Sequence, residues 1–462
     1  MLVDLLHTVA DSRPAATALG FGDGTWTWAK WRLAAARVAA ELQRLGVRSG
    51  DTVGIGDVSG PGFAAALMGA LWVGAEVAPF DPQGPTPPEL DFIIAKAPVA
   101  GVATLTLDDP QSLFDPDFSA AAAPRSVAPG LDAPAIMQRS SGSTGAPKLI
   151  RRTHGACLAE IRRLGTAAEI GPEDAIFCPL PLFHAHGLFN GLWAAVGSGA
   201  RLELMERPQP FALQARRAAD IIVARACTIL IGSPFHYEAL VRLPDPPDLR
   251  CLRLAISGGH ALEKSVHDAF LDRHGIPIRQ SWGCTEGGML TLDLGATPDP
   301  TSVGAPLPGA DIALLDSAGR PAPPGAIGEI RVRSASLSTD IDAAAGFVSG
   351  DMGMIDAQGR LRILGRRDAM IIVAGDKVFP AEVEAALLSH PAVTEAAVAG
   401  RPDGRGGEAI AAWVATVASV SEAELHAHCR AHLPRARRPA RIVMVDRLPR
   451  TAVGKVALAQ LE

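Results

Sequence analysis

The chain has 462 residues, of which 48% are hydrophobic and 20% charged, with a formal net charge of -6. That balance belongs to an ordinary globular protein of two or three domains and excludes a largely disordered chain. The mild negative charge and the lack of long basic runs exclude nucleic acid as the main partner and point to a small or locally bound substrate.

In chain order, the opening MLVDLLHTVADSRP has no basic region followed by an apolar stretch, so it does not read as a signal peptide. Residues 32–46, RLAAARVAAELQRLG, have the period of a helix, and DTVGI at 51–55 reads as a short buried strand. The apolar run FAAALMGALWVGA at 63–75 is too short to span a bilayer and stops at Glu76, which predicts no membrane span. Residues 115–134 are rich in Ala and Pro and read as a surface connection between subdomains. TILIG and LRLAIS continue the alternation of helices and short strands, the pattern of α/β units with largely parallel sheets. After about residue 300 short strands and turns (ADIALLDSAGR, AIGEIRVRS) predict a small β-rich subdomain, and from 366 onward one compact segment remains. Cys157, Cys178, Cys227, Cys251, Cys284 and Cys429 are scattered without a C-x-x-C pair. They indicate neither a disulfide framework nor a zinc site, and fit a cytoplasmic protein.

Four stretches carry polar groups suited to chemistry. RSSGSTGAPK at 139–148 packs four hydroxyls and two glycines before a lysine. It reads as a loop whose N–H and hydroxyl groups can wrap a phosphate, with Lys148 as a point charge, or as a solvated linker. It is not a Walker loop, because Ala146 and Pro147 separate Gly145 from Lys148, and it is one residue short of a G-x-S-x-G elbow. SWGCTEGG at 281–288 offers the Thr285 hydroxyl to a phosphate and the Glu286 carboxylate to Mg²⁺, which commonly takes one or two carboxylates together with phosphates and water; an ordinary turn is the alternative. Asp351, in a Gly-Asp turn, and Arg366 suit ribose hydroxyls or a plain hairpin. LPRTAVGK at 448–455 ends in Lys455, by default a solvated charge.

Taken with PLPLFHAHGLFNG, SGGHAL, SVGAPLPG and GRRDAMI, these stretches occur in the order found in the adenylate-forming superfamily, which the chain resembles from about residue 20 to its C-terminus. The superfamily includes acyl- and aryl-CoA synthetases, nonribosomal adenylation domains and luciferases. The resemblance implies a luciferase-like adenylate-forming fold. Residues 1–365 would form a large N-terminal domain of layered α/β subdomains plus the β-rich subdomain, and 366–462 a small mobile α+β C-terminal domain. It also implies conversion of a carboxylic acid and MgATP to an acyl-adenylate and pyrophosphate, followed by transfer to a thiol.

By resemblance, Ser140, Ser141, Gly142, Ser143, Thr144, Gly145 and Lys148 cradle the β- and γ-phosphates, Thr285 contacts phosphate and Glu286 holds Mg²⁺. Trp282, just before Gly283, stacks on adenine, and Ser257, Gly258 and Gly259 line the nucleotide and acyl sites. Asp351 and Arg366 bind ribose, and Lys455 bridges carboxylate and nucleotide. Asp368 is the hinge, and Gly375 lies by the pantetheine tunnel in the thiol-transfer state. Amino-acid-activating relatives carry an aspartate just after the phenylalanine of PLFHAHGLF; here Phe183 is followed by His184, so an acid without an α-amino group is expected. His184 stands where aryl- and acyl-activating relatives often have a histidine near the substrate carboxylate. KLIRRTH leans towards aryl acids, while Ala185 and FHAHGLF leave small and medium acyl acids open. No carrier domain follows Lys455, so the expected acceptor is CoA or, alternatively, the phosphopantetheine of a separate carrier protein; LPRARRPAR at 433–441 is a basic stretch suited to either.

Overall fold

In the computed structural model the described residues are 1–56, 60–107, 109–114, 124, 127–139, 148–205, 210–373, 375–403, 407–449 and 456–461. They form two compact units, Met1–Asp311 with Arg333–Phe347, and Ile312–Val332 with Val348–Glu462.

The first unit is built on two sheets. One runs in the order Ala103–Thr106, Phe92–Ala95, Thr52–Ile55, Glu76–Pro79, Pro134–Arg139 and Leu149–Thr153, parallel except for the last, antiparallel pair. The other runs Ala305–Pro306, Gly288–Leu292, Ile278–Cys284, Leu254–Ser257, Ile229–Gly232, Ala175–Cys178, Arg201–Leu204, Thr17–Phe21 and Gly24–Thr27. Its middle strands are parallel and only its edges antiparallel. LAIS, ILIG and AIFC are buried at every position, which is why they are continuous apolar runs: a parallel strand covered by helices on both faces has no solvent side. One apolar cluster, which includes Trp28 stacked on Trp31, joins both sheets to the helices Trp28–Arg44, Pro61–Trp72 and His154–Ala167.

The second unit holds a four-stranded sheet, Ala310–Leu315, Gly328–Ser334, Phe347–Ile355 and Leu361–Arg366, whose first three strands begin or end in the first unit. It also holds the hairpin Ile371–Val373 and Asp376–Val378, and a three-stranded sheet of Val393–Pro402, Glu408–Thr416 and Arg441–Met444 carrying the helices Pro380–Leu388 and Glu422–His432. Val383, Leu387, Val398, Ile410, Val414 and Leu425 close that core. Compactness therefore groups the β-rich sheet with the C-terminal residues, whereas the change of sequence texture divides the chain at 365/366. The strand Leu361–Arg366 is paired antiparallel with Phe347–Ile355, and such pairing does not register in composition.

Candidate active site

In open α/β sheets ligands bind at the carboxyl ends of the parallel strands. The first unit gathers sequence-predicted residues there. Ser257 ends the strand Leu254–Ser257, its hydroxyl buried without a hydrogen-bond partner among the described residues. Gly258 and Gly259 follow, Gly259 with φ +94°. Ser281 on the neighbouring strand donates to the Ser257 carbonyl at 3.2 Å. Trp282 is half-buried beside an irregularity in the strand pairing at Trp282/Gly283, a device that re-aims side chains.

After the strand Ala175–Cys178 the chain turns through Phe183 and His184 into the π-helix His186–Trp193. Gln138 Nε2 donates to the Phe183 carbonyl at 3.4 Å, tying this turn to the other sheet one residue before the last described residue ahead of position 140. The helix lies close because Gly191 has no side chain: a Cβ there would be 2.6 Å from Cys178 Sγ. Its first residue, His186, was not expected from sequence. A Cβ on Gly258 would lie 2.6 Å from both His186 Cε1 and Ser281 Oγ, so imidazole, hydroxyl and glycine backbone occupy one tight junction. Burial, reinforced by His260 and His184, pushes the His186 pKa down to about 4, and the ring is neutral at ordinary pH, with Nε2 unpartnered among the described residues. The H-x-H-G spacing was the available signal. His184 is half-buried, its ring 4.5 Å from that of Phe183.

Thr285, Glu286 and Gly287 form the turn between Ile278–Cys284 and Gly288–Leu292, and the side chains of Thr285 and Glu286 are half-buried. The turn is gripped from behind. Ser338 N donates to the Glu286 carbonyl at 2.8 Å and Ser336 Oγ to that of Gly287 at 2.7 Å. Among the described residues no group of three His, Cys, Asp or Glu side chains is arranged to hold a metal. A divalent ion at Glu286 would complete its shell with phosphate and water oxygens, as Mg²⁺ commonly does, and the half-exposed carboxylate fits that use.

In the second unit Asp351 and Arg366 are direct partners across an antiparallel pair, Arg366 Nη1 lying 3.6 Å from Asp351 Oδ1. Arg366 also donates to the Ser349 carbonyl at 2.7 Å and to Asp368 Oδ1 at 3.3 Å, so the expected ribose pair and hinge aspartate form one cluster. Although burial opposes its charge, the carboxylates of Asp368 and Asp351 raise the Arg366 pKa. Gly375 occupies the tip of an exposed hairpin at φ +92°, and a Cβ on it would meet no heavy atom within 4 Å. Of the basic stretch, Arg437 pairs with Glu382 and Arg438 donates to the carbonyls of Leu433 and Arg430; Arg435 and Arg441 are exposed. Lys148 is exposed at the start of the strand Leu149–Thr153. Ser140, Ser141, Gly142, Ser143, Thr144, Gly145 and Lys455 lie outside the described residues.

Residues 6–339 match the AMP-binding enzyme family, and residues 382–455 match the AMP-binding enzyme C-terminal domain. The chain is 29% identical to a feruloyl-CoA synthase of an Amycolatopsis species over 96% of this chain and 94% of that one. It is 30% identical to a sulfoacetate–CoA ligase of Cupriavidus necator, over 90% and 88%. The solved structure of the o-succinylbenzoate CoA synthetase from Bacillus subtilis, in complex with ATP and magnesium ion, superposes with a TM-score of 0.86 at 26% identity, covering 99% of this chain and 98% of that one. No described helix is long and apolar enough to cross a membrane. With adenylate-forming fold, ordered motifs and both family matches in agreement, the chain belongs to the AMP-binding enzymes and is an AMP-forming acid–thiol ligase of the acyl/aryl-CoA ligase type.

Proposed function

We propose that the protein activates an aryl acid, or a small or medium acyl acid, that lacks an α-amino group, and transfers it to CoA. The observation that carries this reading is the junction at the carboxyl edge of the parallel sheet. His186 meets Gly258 and Ser281 there, next in the chain to Ser257 and Trp282, and Phe183 is followed by His184 rather than by a carboxylate that could pair with an ammonium.

In the first half-reaction an oxygen of the substrate carboxylate bonds to the α-phosphorus of ATP and the bond to the pyrophosphate oxygen breaks. Both partners are anionic, so the protein's work is to neutralise charge and align the attack. Residues 140–145 with Lys148 hold the departing phosphates, Thr285 donates to phosphate and Lys455 bridges carboxylate and nucleotide. Glu286 holds Mg²⁺, which when bound offsets the charge of the phosphates. Trp282 stacks on adenine, Ser257, Gly258, Gly259 and Gly283 line the nucleotide and acyl sites, and Asp351 with Arg366 takes the ribose hydroxyls. His184 faces the acid's carboxylate. In the second half-reaction the CoA sulfur bonds to the acyl carbon and AMP leaves, after residues 366–462 have turned about Asp368 and brought Gly375 to the pantetheine arm.

The names of the curated relatives, two CoA-thioester-forming enzymes, support free CoA over a carrier protein. Feruloyl-CoA synthase supports the aryl lean and sulfoacetate–CoA ligase keeps short acids in view. Six cysteines without a disulfide partner support a cytoplasmic location. The test is acid-dependent pyrophosphate release over benzoates, cinnamates and linear acids, with and without CoA. Multiple turnovers only with CoA support the reading. Turnover only with a phosphopantetheinylated carrier protein would replace CoA as acceptor, and silence with every acid would overturn the proposal.

A further inference from the structure

Directly behind the turn that carries Glu286 lies a buried ionic network that takes no direct part in either half-reaction. Arg152, Glu160 and Arg163 are 1%, 3% and 5% exposed. Arg152 Nη1 is 2.6 Å from Glu160 Oε2, and its guanidinium lies over Phe189 at 4.5 Å. The other Glu160 oxygen accepts the backbone N–H of Met289 at 2.9 Å. Arg163 takes the carbonyl of the same residue at 2.9 Å, that of Pro308 at 3.2 Å, the Ser336 hydroxyl at 2.9 Å and the Ser334 hydroxyl. Arg152 Nε takes the Ser336 carbonyl at 3.1 Å, and Ser336 Oγ in turn donates to Gly287. Gly288 makes room for this arrangement. Its φ is +73°, and a Cβ on it would fall 2.0 Å from the Glu160 carboxyl carbon.

The backbone on the C-terminal side of Glu286 is thus fixed at residues 287 and 289 by Glu160, Arg163 and Ser336, with Arg152 holding Glu160 and Ser336 in place. Isolated burial of two guanidiniums and one carboxylate is costly unless their hydrogen-bonding capacity is met, and here most of it is met by this turn and the segment behind it. We propose that Arg152, Glu160, Arg163 and Ser336 are positioning residues for adenylation, holding the 285–287 turn so that Glu286 and Thr285 meet the metal and phosphates in register. None touches substrate. The inference rests on the metal reading of Glu286.

Two variants and two kinds of readout test it. Ser336→Ala removes one neutral hydroxyl with little threat to folding, and Glu160→Gln keeps an acceptor for Met289 N–H while removing the charge. In the ligand-free protein, amide exchange in the peptide 284–290 should accelerate in both. The Mg²⁺ concentration for half-maximal pyrophosphate release should rise about 10-fold, the usual effect of losing a partner behind a metal ligand. Thioester formation from preformed acyl-adenylate, which needs no pyrophosphate site, should stay within about twofold. Should Glu160→Gln fail to fold, Ser336→Ala alone decides. Unchanged exchange, unchanged Mg²⁺ dependence, or equal loss in both half-reactions would overturn the inference. A Glu286→Gln control separates the two levels. If that variant shifts the Mg²⁺ dependence and Ser336→Ala does not, only the positioning role falls; if Glu286→Gln shifts nothing, the metal reading falls and takes the inference with it.

Discussion

His154 and His186 are held neutral by burial, each with its pKa pushed down to about 4. For His154, whose Nδ1 accepts the Leu2 N–H at 3.3 Å, the consequence is one of stability. An imidazole that ionises near 6.5 in the unfolded chain but near 4 in the folded one binds fewer protons when folded. Its contribution is therefore complete above about pH 6.5, declines as the pH falls to about 4, and is flat below. Denaturant unfolding at a series of pH values should show His154→Gln flattening that decline by about 3 kcal/mol across the interval. An identical pH slope in the two proteins would refute it. Sequence showed the chemistry-bearing types but not their partners. His184 stood out by resemblance, whereas His186 acquires its meaning only from Gly258 and Ser281, which are distant along the chain and adjacent in space.

Among the elements, the junction of the π-helix with the Ser257–Gly259 turn leaves no room for a methyl group. Gly258→Ala would force the His186 ring and Ser281 hydroxyl outward, and beside the proposed acyl site a displacement of this size costs on the order of 100-fold in rate. Pyrophosphate release should fall by about that factor, and the overpacked junction should lower the thermal midpoint as well; activity close to that of the parent would show that the junction yields. The apolar runs TILIG and LRLAIS were legible as strands because a parallel sheet buries both faces of each. The grip on the Thr285–Glu286 turn was not legible. Arg152, Glu160 and Arg163 look like ordinary solvated charges in the sequence until the fold shows them buried.

For the whole molecule, the proposed catalysis divides between two alternative uses of the C-terminal residues. Lys455→Ala should lower adenylation on the order of 100- to 1000-fold and spare thioester formation from preformed adenylate. Asp368→Pro should do the reverse, forming adenylate and stopping there, because a ring-locked φ cannot absorb a hinge rotation. Measuring the two half-reactions separately checks both; equal loss in each half would refute the division of labour. The adenylate-forming fold was legible because its motifs recur in order over most of the chain. The compact units were not, since the chain leaves the first unit after Asp311, returns for Arg333–Phe347 and leaves again.

The fit between Gly288 and Glu160 also bears on how this sequence can drift. A side chain at 288 collides with the carboxylate, and loss of the carboxylate strands the Arg152 charge, so neither position can change first without penalty. Lineages that abandon Glu160 must first find Arg152 another acceptor. Across relatives, loss of the carboxylate at 160 should therefore come with loss of the arginine at 152, and a side chain at 288 should occur only where that carboxylate is gone.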